Sequence, residues 1–197
     1  SGIIPATVAM VLSDVESAGI LTLARERRVP ARFIAPGKFR TKLDEDAERV
    51  FVAALREAQV DLIVLAGFMR VLKGEFLRAF EGRIVNIHPS LLPKCRGLHT
   101  HARALKAGDA EAGASVHFVV PELDAGTVLA QARVPVQPAD TPELLAQRVL
   151  AVEHPLLIAT LRCLVTGRVA ERHGQLQVDG HPLFSPLRLD CAGELNT

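Results

Sequence analysis

The sequence predicts an α/β fold: a doubly wound, mostly parallel sheet with antiparallel edge strands. It reads as one domain over 1–185, followed by a disordered tail at 186–197. Three observations carry the prediction. Short apolar runs alternate with amphipathic helical stretches through the first half. One run, Asp61–Ala66, reads as a continuous apolar strand of the kind buried on both faces in a parallel sheet. The second half then changes to strand-like segments without intervening helices.

The elements follow in order. Thr7–Leu12 is an apolar run that stops at Ser13-Asp14, residue types that cap the helix expected from about Val15 to Arg27. Pro30 ends that helix, and Ala31–Ile34 is the next strand. A charged helix is expected from about Leu43 to Ala58, with Val50, Phe51, Ala54 and Leu55 on one face. After the Asp61–Ala66 strand, Ile84–Ile87 is a shorter one that runs into a Pro-rich segment. Ala114–Val120 and Val128–Val136 are expected as antiparallel strands at the sheet edge, separated by a loop over Pro121–Thr127 too irregular for a tight hairpin. Thr141-Pro142-Glu143 opens a long helix, with Thr as cap and Pro in the first turn. Pro155 is expected to interrupt or restart it, because its ring cannot continue a hydrogen-bonded interior. Val169–Val178 reads as a small hairpin.

Composition narrows the function classes. Apolar residues are 49% of 197, with no Tyr and no Trp, so Phe, Leu, Ile, Val and Ala form the core. A formal net charge of +1 argues against a general polyanion binder, so any phosphate site must be local. No apolar stretch approaches the roughly 20 residues that cross a bilayer. Ser1–Val11 does not read as a signal peptide. Cys95, Cys163 and Cys191 are odd in number and widely spaced, which suits a reducing cytoplasm and neither a metal site nor a disulfide framework.

The chemistry concentrates in Ile84-Val-Asn-Ile-His-Pro-Ser-Leu-Leu-Pro-Lys94. Side chains alternate along a strand, so Asn86 and His88 project the same way from its carboxyl end, where open α/β sheets place ligands. Asn offers a neutral donor for a developing oxyanion, and His a proton donor or acceptor that works near neutral pH. Taken alone, Asn86 could equally cap a turn and His88 be an ordinary polar residue at a strand end. His99 and His101 have no Cys or carboxylate nearby to complete a metal set.

From about Val8 to Arg168 the chain resembles the glycinamide ribonucleotide formyltransferases that use 10-formyltetrahydrofolate. The resemblance rests on Leu65-Ala-Gly-Phe-Met-Arg70, Asn86-Ile-His-Pro-Ser-Leu-Leu-Pro93, Gly97-Leu-His-Thr-His101, Gly113-Ala-Ser-Val-His-Phe118 and Glu122-Leu-Asp-Ala-Gly126. The third segment separates this branch from relatives acting on methionyl-tRNA or sugar nucleotides.

The resemblance implies a formyltransferase domain without a metal. Asn86 would hold the formyl oxygen and His88 would polarise it and move protons. Asp124 would sit against His88, favour its charged form and organise a water. It also implies folate contacts from Met69, Arg70, Val71, Leu72, Asn86 and Val120, Pro121, Glu122, Leu123 and Asp124. In that picture Met69, Leu72 and Val120 sandwich the pterin, and Arg70 meets the carboxylate of the glutamate tail. Leu150, Ala151, Val152 and Glu153 would hold the ribonucleotide, with Ser115 and His117 as support behind the centre. A homodimer is compatible with the family, whereas nucleic-acid and membrane partners are not expected.

Members of the family begin with a strand and a Gly/Ser-rich loop ending in Asn, which cradles the substrate phosphate at a helix amino terminus. This chain begins Ser1-Gly2 and enters the expected second strand almost at once. It therefore reads as missing that strand and loop, through truncation or an early gene-start error, unless another segment or chain fills the gap. The phosphate is assigned to no residue here. Two other readings stay open on the shared Asn, His and Asp: a formyltetrahydrofolate hydrolase, and a folate-binding protein without turnover.

Overall fold

A computed structural model describes residues 4–172 and 174–197, and its contacts group into two compact units, Ala6–Ile84 and Val85–Thr197. In the first, β1 (Val11–Ser13) and β2 (Ala31–Phe33) pair in parallel through α1 (Gly19–Glu26). The helix starts four residues later than expected, because Ser13 and Asp14 do not cap it. Ser13 Oγ instead closes a local turn with Val15, and Asp14 pairs with Arg70.

The helix α2 (Glu45–Glu57) is set by its ends: Asp44 accepts a hydrogen bond from Ala47 N at 2.9 Å, and Glu45, Asp46 and Glu48 place negative charge in the first turn. Its buried stripe is centred on Phe51, with Ala47, Val52, Ala54 and Leu55, while Val50 faces outward, contrary to the expected face. The strand β3 (Ile63–Leu65) is shorter than expected, and Val64 is exposed, so it is not buried on both faces. Glu48 is buried and accepts from Lys73 N and Glu75 N, which anchors the start of α3 (Gly74–Ala79). Phe51, Phe76 and Phe80 meet at centroid distances of 6.4 and 5.7 Å and fill this core.

In the second unit β4 (Ile84–His88), β5 (Glu111–Phe118) and β6 (Val128–Pro135) form an antiparallel ladder, with α4 (Thr100–Ala107) between β4 and β5. The β5–β6 register shifts between Val116 and His117. Gly113 allows the strands to approach: a Cβ there would lie 1.9 Å from Ala132 O. The long helix α5 (Pro142–Val165) packs across β5 and β6, with Thr141 Oγ1 capping Leu144 N and Pro142 in its first turn. It buries Leu145, Val149 and Leu156 completely, each contributing about 1.5–3 kcal/mol.

Pro155 does not interrupt α5. The ring removes one donor, and the apolar face on both sides of it, Val149 before and Leu156, Ala159 and Cys163 after, holds the axis together.

The hairpin of β7 (Val169–Arg172) and β8 (Gln175–Val178) forms as expected, extended by β9 (His181–Pro182). The stretch expected as a disordered tail carries β10 (Leu187–Leu189), parallel to β6, and β11 (Leu195–Asn196), antiparallel to β10. Leu187 on β10 and Leu195 on β11 are buried, and that apolar burial orders the segment. With β10 against β6, the β5–β6 pair lies inside the sheet of this unit, and β10 and β11 form the rim.

Candidate active site

The antiparallel register of β4 and β5 builds the site. Asn86 is opposite His117 and His88 is opposite Ser115, so four polar side chains share one patch of an otherwise apolar ladder. Asn86 Nδ2 lies 3.2 Å from His117 Nε2, and His117 Nδ1 lies 2.8 Å from Phe118 O. His117 is almost wholly buried, and burial lowers its pKa below the usual value, although the Phe118 carbonyl and the Asp124 carboxylate pull the other way.

His88 is buried between two acceptors, with Nε2 3.1 Å from Cys95 O and Nδ1 3.5 Å from Asp124 Oδ2. Only the Cys95 carbonyl is at hydrogen-bond distance; the Asp124 carboxylate stands just beyond it. Asp124 Oδ2 accepts from Gly97 N at 2.8 Å, and Oδ1 lies 3.6 Å from His117 Nε2. One carboxylate therefore faces both histidines. Asp124 holds φ at +48°, a left-handed conformation that Asp tolerates better than most residues. Cys95 also has positive φ, and its carbonyl meets His88, so this residue contributes by its backbone.

The turn after His88 is fixed by a buried network. Ser115 Oγ donates to Ser90 O at 2.7 Å and accepts from Leu92 N at 3.0 Å. Gln131 Nε2 donates to Leu92 O and to Ser115 Oγ, both at 2.9 Å. Gln131 was not singled out by sequence reasoning; a lone amide between Ala130 and Ala132 on a buried strand was the available signal.

The structure brings together Asn86, His88, His117 and Asp124. Val120, Pro121, Glu122 and Leu123 lie in the loop from β5 to Asp124, with Leu123 exposed. Leu150, Ala151, Val152 and Glu153 lie on α5. Burial raises the pKa of the Glu153 carboxyl, while His154 and His88 act in the opposite direction. His101 Nε2 is buried without a partner among the described residues, and burial lowers its pKa, with His88 adding to the effect.

Met69, Arg70, Val71 and Leu72 belong to the other unit. Met69 is exposed, but Leu72 is in the core, so its side chain is not free to cover a ring as expected. Arg70 is likewise committed: its guanidinium pairs with Asp14 and donates to Phe39 O, which leaves less of it for a glutamate tail. Val71 N donates to Thr41 O at 2.9 Å. Among the described residues no group of three or more His, Cys, Asp or Glu is arranged to hold a metal, and no helix is long and apolar enough to cross a membrane.

The chain is similar to known proteins over most of its length. The formyl transferase family model matches residues 1–161. Phosphoribosylglycinamide formyltransferase of Haemophilus influenzae is 39% identical over 184 residues, 93% of this chain and 85% of that protein. The trifunctional purine biosynthetic protein adenosine-3 of Drosophila melanogaster is 44% identical over 166 residues, 83% of this chain but 12% of that protein. The solved phosphoribosylglycinamide formyltransferase of Coxiella burnetii superposes with a TM-score of 0.85 at 40% identity, covering 91% of this chain and 84% of that one. With a polar cluster on β4, β5 and the Asp124 loop and matches that span most of its length, the chain belongs to the formyl transferase family, in its phosphoribosylglycinamide formyltransferase branch.

Proposed function

We propose that the chain transfers the formyl group of 10-formyltetrahydrofolate to the primary amine of glycinamide ribonucleotide in purine biosynthesis, through Asn86, His88 and Asp124. The observation that carries the mechanism is the convergence of one neutral donor, one imidazole between two acceptors and one largely covered carboxylate. Attack bonds the amine nitrogen to the formyl carbon and gives a tetrahedral species, anionic on oxygen and cationic on nitrogen. Asn86 Nδ2 donates to that oxygen, and His88 in its charged form adds a second donor once it leaves Cys95 O. Collapse breaks the bond to folate N10, and the amine proton passes by way of Asp124 and His88 to the departing nitrogen.

The Val120–Asp124 loop supports a role at the pterin edge, since its backbone groups follow directly from β5. Residues 69–72 enter as a second folate-binding segment on the family resemblance alone. Glu153, half-buried on α5, is assigned to the ribonucleotide with Leu150, Ala151 and Val152. Three free cysteines suit the cytoplasm, where the resemblance puts this chemistry.

The test is formyl loss from 10-formyltetrahydrofolate, followed spectrophotometrically with and without glycinamide ribonucleotide. Loss that requires the ribonucleotide is the expected result. Loss without it makes the chain a hydrolase, and folate binding without loss makes it a binding protein.

A further inference from the structure

We propose that His117 is a positioning residue that fixes which way the Asn86 amide faces, by keeping its Nε2 as a bare acceptor for Asn86 Nδ2. The proposal rests on the assignment of Asn86 as donor to the formyl oxygen.

An asparagine amide has a donor end and an acceptor end of nearly the same shape, exchanged by a half-turn. Only the nitrogen end stabilises a developing oxyanion; the oxygen end repels it. Something beside Asn86 must therefore tell the two orientations apart. The carbonyl of Phe118, 2.8 Å from His117 Nδ1, can only accept, so the ring hydrogen sits on Nδ1. In the neutral ring Nε2 then carries a lone pair, and it faces Asn86 Nδ2 at 3.2 Å. With Asn86 turned round, Oδ1 and Nε2 would oppose one another as two lone pairs. One hydrogen of Nδ2 is used on His117, and the second remains for the substrate.

The fold supports this arrangement at two levels. Asn86 and His117 are direct partners in the β4–β5 register. The register shift between Val116 and His117 on the β6 side sets His117 apart from the regular alternation of its strand, and irregularities of this kind commonly re-aim a side chain beside an active site. The groups facing His117 are Phe118 O, Asn86, Asp124 and, further off, His88. Asp124 Oδ1, 3.6 Å from Nε2, is beyond hydrogen-bond length, so it does not compete for that nitrogen.

Two substitutions separate the halves of the ring. In His117→Asn the side-chain nitrogen reaches the place of Nδ1 and keeps Phe118 O, but nothing accepts at the place of Nε2. In His117→Gln the side-chain oxygen reaches that place. The expected kcat falls about tenfold to a hundredfold in His117→Asn, part of the 10²–10³ attached to a lost oxyanion donor, with KM for folate within about threefold. His117→Gln recovers kcat to within about fivefold of wild type. On an Asn86→Ala background His117→Asn changes kcat by less than about twofold, because the amide it orients is gone.

Independently of any variant, ¹⁵N NMR of the unsubstituted protein near pH 7.5 should show His117 protonated on Nδ1 and bare on Nε2. A ring protonated on Nε2, equal losses in the two His117 variants, or fully additive effects in the cycle overturn the proposal. If Asn86→Ala keeps wild-type kcat, the assignment of Asn86 fails and takes the proposal with it. If Asn86→Ala loses turnover while His117→Asn does not, only the positioning role is lost.

Discussion

Asp124→Asn removes one charge from the proposed catalytic patch and little else. Asparagine is nearly isosteric, tolerates the left-handed φ of +48°, and its oxygen can still accept from Gly97 N. What is lost is the carboxylate 3.5 Å from His88 Nδ1. Both side chains are close to nine-tenths buried, at 8% and 10% exposure, so solvent screens the pair only partly. At that separation an effective dielectric constant of about 20 gives roughly 5 kcal/mol of attraction between full charges, an upper bound. The separation exceeds a hydrogen bond, and contacts of this kind tighten only in the reacting complex.

If about half that attraction is realised as His88 carries charge in the transition state, kcat falls about a hundredfold, since 1.4 kcal/mol is a factor of ten. KM for folate stays within about threefold, because the backbone of the loop is kept. The assay is initial-rate formyl loss at saturating ribonucleotide, with a thermal melt to show that the fold survives. A folded Asp124→Asn protein with kcat within about fivefold of wild type refutes the role given to the charge.

Gly113→Ala sets a Cβ 1.9 Å from the Ala132 carbonyl in the middle of the β5–β6 ladder. The backbone must move, and urea unfolding should register a loss of about 3 kcal/mol or more; a loss under 1 kcal/mol would mean the strands can part freely. His117 and His101 both have pKa values lowered by burial, so the unfolded chain binds more protons than the folded one below about 6.5. Stability should therefore fall as pH drops from 7.5 to 5.5, seen as a lower urea midpoint, and a flat profile over that window contradicts the burial argument. Leu187→Asp places a charge at a position 3% exposed in β10 and should cost about 3 kcal/mol, measured in the same way. No effect would return residues 186–197 to the status of a loose tail.

Much of the site could be read from the sequence because it depends on short range. Asn86 and His88 face one way by strand alternation, and Ser115 and His117 do so on the next strand. The register that makes the two pairs meet is a property of the folded ladder. Arg70 reads locally as a free cation, yet its partner Asp14 is 56 positions away. Gln131 looks unremarkable until β6 is laid beside Ser115 and Leu92. Pro155 breaks helices by local rules, and only the core against which α5 packs decides otherwise. Residues 186–197 have the polar, Gly-containing composition of a tail, and Leu187 and Leu195 gain their weight only from the rim of the sheet.

The strand β5 is flanked on both sides and carries Ser115 and His117, whereas Asp124 stands in the loop that follows. Amides in such a strand open to solvent only when the whole unit unfolds, while those of a loop open at far smaller cost. By that reasoning Asn86 and the turn at Ser90–Leu92 should follow the slow exchange of β5, and the carboxylate the faster opening of its loop. Mild denaturant should release Asp124 first, silencing turnover while hydrogen exchange along β5 remains that of the native protein.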